Sequence, residues 1–228
     1  MWDIPIFEED GSLKGNGHTS ISYLKQCAGY EQAKNGDIDA ARSVVQQCVK
    51  KERIADLRRR FPGSVLLPVL GRNQLPLALA QEIELPIWKE VQRTDRTPRK
   101  LLRAIQRLLH KPKFTGYIEK NTDYIIIDDI ITQGGTVSSL REFVRTQGGK
   151  ISAVVALAYA IGSHDITPTR ENLFRYFFKF GEEVFILNDR GVAYRYEELT
   201  NSQVRYLLKF SSTKNIHNKI AKEREAKY

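Results

Sequence analysis

The chain has 228 residues, 41% of them hydrophobic and 28% charged, with a formal net charge of +9. These proportions are ordinary for a globular protein and exclude a wholly disordered chain, a collagen-like fibre and a disulfide scaffold. The longest apolar runs, near residues 65–70 and 151–161, fall short of the roughly 18–20 residues that a membrane-spanning helix requires, so no membrane segment is expected.

Residues 1–19 contain three glycines and no hydrophobic period, and read as an irregular lead-in. The N-terminus has neither a cationic start nor an apolar stretch, so no secretory signal peptide is expected and the cytoplasm is the expected location. From residue 20 to residue 60 apolar side chains recur at helical spacing, interrupted at Asn35-Gly36-Asp37. Gly36 suits a helix C-terminus and Asp37 an N-cap, so the segment reads as a pair of helices ended by Pro62-Gly63. Cys27 and Cys48 fall in this region with no His or second Cys pair nearby, and are expected to be ordinary buried thiols.

After Gly63 the pattern changes to short apolar runs bounded by turn signals. Residues 65–70 read as a buried strand despite Pro68, 75–83 as a helix opened by Asn73, and 87–91 as a second strand. Residues 91–113 hold eight basic side chains against Asp95, a local net charge of +7. Then come a strand at 123–129, a helix at 136–146 stopped by Gly148-Gly149, and a strand at 151–160. Strands alternating with helices imply an α/β fold with a mainly parallel sheet flanked by helices. An aromatic-rich stretch follows residue 169, then a short strand at 184–187 and helices near 202–210 and 214–227. Residues 204–228 carry a net charge of +5. An anionic partner is therefore to be sought at these two basic segments, since the remainder of the chain is net negative.

The segment from Tyr124 to Thr136 carries the chemistry. An apolar strand delivers Asp128 and Asp129 to its C-terminal end, and the turn Thr132-Gln133-Gly134-Gly135-Thr136 leads into a helix. Open parallel sheets bind ligands at that edge. Free backbone N–H groups at a helix N-terminus hold a phosphate, glycines let the backbone approach it, and carboxylates beside it suit ribose hydroxyls. A sugar phosphate has both features. The bland alternative is a strand, turn and helix whose aspartates merely cap the helix.

This segment resembles the signature of the type I phosphoribosyltransferases: an apolar strand, Asp-Asp, two apolar residues and a Thr-x-Gly-x-Thr loop. The stretch at residues 93–98 and the basic residues after it resemble the corresponding region of the competence-associated and amidophosphoribosyl members most closely. The resemblance covers about residues 65–161, although Gln133 replaces a usually smaller residue. It implies that Asp128 and Asp129 contact the 2′ and 3′ hydroxyls of 5-phosphoribosyl-1-diphosphate, while Thr132, Gln133, Gly134, Gly135 and Thr136 wrap its 5′ phosphate. It places Gly71, Arg72 and Asn73 at the leaving diphosphate, with Arg93 and Arg96 in a loop that closes over the substrate. Magnesium is implied as cofactor, chelated by diphosphate and ribose oxygens with no direct protein ligand. The implied reaction is a glycosyl transfer by displacement at C1 of the ribose. His164, in Ser163-His164-Asp165 after the last core strand, is the candidate catalytic base or acceptor contact. Two alternatives stay open: Asn73 as a plain N-cap beside a solvated Arg72, and residues 101–109 as a solvated basic helix.

The chain divides on this reading into a lead-in and helical pair (1–63), a phosphoribosyltransferase-like core (64–168) and a C-terminal extension with basic helices (169–228). The two helical extensions resemble parts of phosphoribosyltransferase-like proteins of mobile elements. A second reading follows, because fold does not fix function: an inactive phosphoribosyltransferase fold acting as a regulatory or protein-interaction factor of a plasmid or other mobile element, for example in inhibiting conjugation. The C-terminal helix is expected to pack on the domain or on a second copy, or to meet a protein partner, in preference to nucleic acid. No membrane partner is expected.

Overall fold

A computed structural model describes residues 5–8, 13–14, 20–95, 102–160, 165–181 and 199–225. Its strands are β1 (Ile6–Glu8), β2 (Leu13–Lys14), β3 (Val65–Pro68), β4 (Val91–Arg93), β5 (Phe114–Gly116), β6 (Asp123–Ile131) and β7 (Lys150–Tyr159). Its helices are α1 (Ile21–Gln26), α2 (Tyr30–Lys34), α3 (Ile38–Cys48), α4 (Lys51–Arg60), α5 (Leu75–Ile83), α6 (Ala104–Leu109), α7 (Gly135–Thr146), α8 (Arg170–Phe180), α9 (Asn201–Leu207) and α10 (Thr213–Glu225).

Five strands form one sheet in the order β2-β1-β7-β6-β3. Strands β3, β6 and β7 are parallel, and β1 and β2 continue the sheet antiparallel. The fold is thus α/β, a mainly parallel sheet flanked by helices. Successive residues of β6 point to opposite faces. Ile125 and Ile127 lie in one core with Leu24, Ala33, Val44, Leu57 and Leu79, whereas Tyr124 and Ile126 lie in another with Val137, Leu140 and Val144 of α7. Both faces are therefore covered, which is why β6 and β7 read as continuous apolar runs rather than alternating ones. Each fully buried Leu or Ile contributes roughly 1.5–3 kcal/mol. A third core joins Ile105 and Leu108 of α6 to Tyr176, Phe180, Val204, Leu207, Ile216 and Ile220 of α8, α9 and α10.

Several sequence expectations change. The lead-in is not wholly irregular: Ile6 and Phe7 are fully buried in β1, paired with Val155 and Val154. A three-residue strand shows no period, and its stability comes from a partner distant in sequence. The helical pair is four helices, because the chain breaks at Cys27–Gly29 and again at Val49–Lys50. Gly29 has φ +88°, and a Cβ there would lie 3.3 Å from that of Ala40 in α3, so glycine suits this close turn between α1 and α2.

The second expected strand is divided. Only Ile87 bridges β3, pairing in parallel with Leu66, while β4 leaves the sheet and pairs with β5 as a separate antiparallel ribbon. Pro68 is tolerated because β3 is the last strand of the sheet order. The aromatic stretch after Thr169 is helix α8, capped by the Thr169 side chain. The expected strand at 184–187 lies outside the described residues. Within the basic segment, Ile105 and Leu108 are buried, so α6 is a packed helix rather than a wholly solvated one. The C-terminal helix likewise buries Ile216 and Ile220 against it. Among the described residues, no helix is long and apolar enough to cross a membrane.

Candidate functional site

Strand β6 lies between β7 and β3 in the parallel part of the sheet, and its pairing with β7 continues past Asp128 through Ile130 and Ile131. The two acids therefore sit within the end of the strand rather than beyond it, close enough for their carboxyl groups to interact. Asp128 and Asp129 are each only 7% exposed. The backbone N–H of Asp129 donates to Oδ1 of Asp128 at 2.9 Å. Burial pushes the Asp128 carboxyl well above the ordinary carboxylate range, and the charge of Asp129 adds to that shift. Asp129 lies on the face covered by the N-terminal helices, where Nζ of Lys34 meets its Oδ2 at 2.7 Å.

The turn after β6 bends through Thr132, Gln133 and Gly134 into α7. Gly134 takes a left-handed conformation (φ +70°) as the residue before the helix, and a Cβ there would lie 3.3 Å from Ile166 and Thr200. Thr132 is exposed, and Gly135 and Thr136 are partly exposed, so the N-terminus of α7 is open to a ligand. Such an end favours an anion through its unpaired N–H groups and dipole. Gln133 is half-buried, with its carbonyl accepting a hydrogen bond from Thr200 Oγ1. Its side-chain Oε1 is buried without a hydrogen-bond partner among the described residues. Thr200 also caps α9, where it accepts from the N–H of Gln203. The C-terminal helices thereby hold the turn from behind.

The turn after β3 lies beside this edge. Gly71 has open space where a Cβ would project, and Arg72 is exposed. Arg72 Nε donates to the carbonyl of Asn35 at 3.2 Å, and Asn73 Oδ1 accepts from the N–H of Leu75 at 3.2 Å. Asn73 thus hydrogen-bonds the first residue of α5 from one position before the N-cap, which is Gln74 and not Asn73 as the capping alternative had it, while the Arg72 side chain reaches the end of α2. Arg93 pairs with Asp95 in and just after β4. Arg96 and His164 lie outside the described residues.

The structure therefore brings Asp128, Asp129, the Thr132–Thr136 turn and the Gly71–Asn73 turn to the C-terminal ends of β6 and β3. It also adds two residues that the sequence did not single out. Lys34 reaches Asp129 from 95 positions away, and Thr200 reaches Gln133 from 67 positions away. No motif spacing could connect either pair. Among the described residues, no group of three or more His, Cys, Asp or Glu is placed to hold a metal ion.

No family model matches the chain. It is 26% identical over 206 residues to protein TraN of Escherichia coli, a match covering 86% of this chain and 46% of that protein. It is 29% identical over 126 residues to an uncharacterized protein of Haemophilus influenzae, covering 50% of this chain and 28% of that one. The chain spans less than half the length of either relative. Similar solved structures include a hypoxanthine phosphoribosyltransferase from Staphylococcus aureus at 18% identity and TM-score 0.38, covering 50% of this chain and 62% of that one. Another is a purine phosphoribosyltransferase from Pyrococcus horikoshii at 19% identity and TM-score 0.34, covering 54% and 72%. These likenesses are partial and of low identity.

Proposed function

We propose that this chain binds 5-phosphoribosyl-1-diphosphate at the C-terminal ends of β6 and β3 and transfers its phosphoribosyl group to a nucleophile. The observation that carries the reading is the run from Asp128 to Thr136. It combines two carboxyl groups at the end of a central parallel strand with an open, glycine-bearing helix N-terminus directly after them. The turn residues Thr132, Gly135 and Thr136 would hold the 5′ phosphate, and the acids would hold the ribose hydroxyls. Gly71 and Arg72 stand where the diphosphate would lie. In the reaction a lone pair of the acceptor forms a bond to C1, and the C1–O bond breaks with its electrons leaving on diphosphate.

The acid pair does not by itself fit magnesium. Lys34 takes Oδ2 of Asp129, and the N–H of Asp129 takes Oδ1 of Asp128. Magnesium would enter with the diphosphate, whose oxygens supply the chelate. Residues 96 and 164 are proposed as lid cation and acceptor contact on the resemblance alone.

A second reading is favoured by two observations: a ligand-binding fold retained as a regulatory or protein-interaction factor of a mobile element. Lys34 and the Asn35 carbonyl engage Asp129 and Arg72, and the relative matched over 86% of the chain is named protein TraN rather than for a transferase. Diphosphate release from 5-phosphoribosyl-1-diphosphate, measured across purine, pyrimidine and amine acceptors, separates the two. Release that depends on one acceptor supports transfer; ligand binding without release from any acceptor supports the regulator.

A further inference from the structure

Two adjacent buried acids make a poor neighbour for a ligand carrying several phosphate charges, unless their own charge is offset. The structure supplies the offset from outside the phosphoribosyltransferase-like segment. Lys34 is the last residue of α2, and its Nζ lies 2.7 Å from Asp129 Oδ2, with side-chain exposures of 32% and 10%. This is not a surface lysine that happens to fall on a carboxylate. The end of α2 is fixed against the Gly71–Asn73 turn by two further hydrogen bonds. The N–H of Gln74 donates to the Ala33 carbonyl at 3.0 Å, and Arg72 Nε donates to the Asn35 carbonyl at 3.2 Å. One turn earlier, buried Tyr30 lies close enough for the Asp129 charge to push its phenol upward, second to the effect of burial. The N-terminal helices thus form a wall of the site and deliver one cation to it.

We infer that Lys34 is a positioning residue of the phosphoribosyl-diphosphate site, neutralising Asp129 so that the acid pair can face ribose hydroxyls without repelling the phosphates beside them. The inference rests on the binding reading above and deepens it. Asp129 is the acid of the pair that meets a lysine directly, through the 2.7 Å contact of its Oδ2 with Nζ of Lys34, so it is the one that Lys34 balances. The ion pair is only partly exposed, so solvent screens it less than a surface pair.

The test is calorimetric titration of 5-phosphoribosyl-1-diphosphate with magnesium into the full chain and its K34M, K34R, D129N and K34M/D129N variants, each with its melting temperature. K34M is expected to weaken binding by about tenfold or more, as when one partner of a close charge pair is removed. K34R restores most of the affinity. In the D129N background, adding K34M changes affinity by less than about threefold, because the charge that Lys34 balances is gone. A lysine with a purely structural role would lower the melting temperature and leave affinity and this coupling unmoved, which would overturn the inference. Tighter binding by K34M would also overturn it, making Lys34 a lock on the site. Absence of binding by the wild-type chain overturns the site reading together with this inference, whereas equal affinity of wild type and K34M overturns this inference alone.

Discussion

Replacing Thr200 with Val tests how the C-terminal helices hold the phosphate turn, because the substitution keeps the shape and removes one hydroxyl. Thr200 is 1% exposed. Its Oγ1 donates to the Gln133 carbonyl and accepts from the N–H of Gln203 at 3.3 Å. Losing a helix N-cap costs about 1 kcal/mol, and leaving a buried carbonyl unpaired costs roughly 1–3 kcal/mol, so the two together destabilise by about 2–4 kcal/mol. For a chain of this length each kcal/mol lowers the melting temperature by about 2–4 °C, so the fall should be roughly 5–15 °C. The turn should also loosen at Gln133 and Gly134, weakening binding of phosphoribosyl diphosphate. Differential scanning calorimetry and ligand titration of T200V and T200S provide the assay. T200S keeps the hydroxyl and should behave close to wild type. A T200V protein that melts with the wild type would refute the role given to this hydroxyl.

Three further outcomes are expected. Thr136→Val removes a partly exposed hydroxyl at the start of α7 and should weaken phosphate-ligand binding with an unchanged melting temperature; a lower melting temperature with intact binding would make the hydroxyl a structural cap. Glu223, buried on α10, accepts from Lys219, Arg103 and Gln106, and the hydrogen bond from Lys219 leads the effects that hold its carboxyl below the usual 4.5. Its stabilisation is therefore present above that value and lost as pH falls through the folded one, so wild type should melt above E223Q at pH 7 and converge with it as the pH falls well below 4.5. A constant gap between them across that range would contradict the assignment. Cys27 and Cys48 are buried free thiols 3.4 Å apart, and burial pushes Cys48 up to about 12. Both should react with a thiol reagent slowly in the native protein and quickly once it is unfolded; fast native labelling would show that α1 and α3 open readily.

The parts of the fold legible in the sequence are those whose signal is local. Strand β6 carries the apolar run Tyr124–Ile127 followed at once by two acids, and α7 begins at a glycine turn and ends before Gly148, so both elements and the acid pair stand out. Helix α5 has Pro76 in its first turn, a residue that suits a helix start, and Asp37 caps α3 through its side chain as its residue type suggested. What was not legible depends on distant pairing. Strand β1 has no period of its own and is stable because Ile6 and Phe7 meet β7. Helix α6 looks like a solvated basic face until α8, α9 and α10 cover Ile105 and Leu108. Glu223 joins Gln106 and Arg103 from 117 and 120 positions away, a separation that spacing rules do not reach. The same holds within the site: the motif delivers Asp129, and only the packing of α2 against the Gly71–Asn73 turn delivers Lys34.

The central claim is that the end of β6 and the start of α7 form a site for a phosphorylated ribose. Titration of 5-phosphoribosyl-1-diphosphate with magnesium into the wild-type chain and into D128N/D129N tests it most directly. Charge-assisted hydrogen bonds contribute about 1.5–3 kcal/mol each, so the double variant should lose binding by at least about tenfold. It should retain a cooperative melting transition, since the change removes charges without opening a cavity. Saturable binding by the wild type and its loss in the variant is the predicted result. Equal affinity of the two proteins, or no binding by a folded wild-type chain, would contradict the assignment.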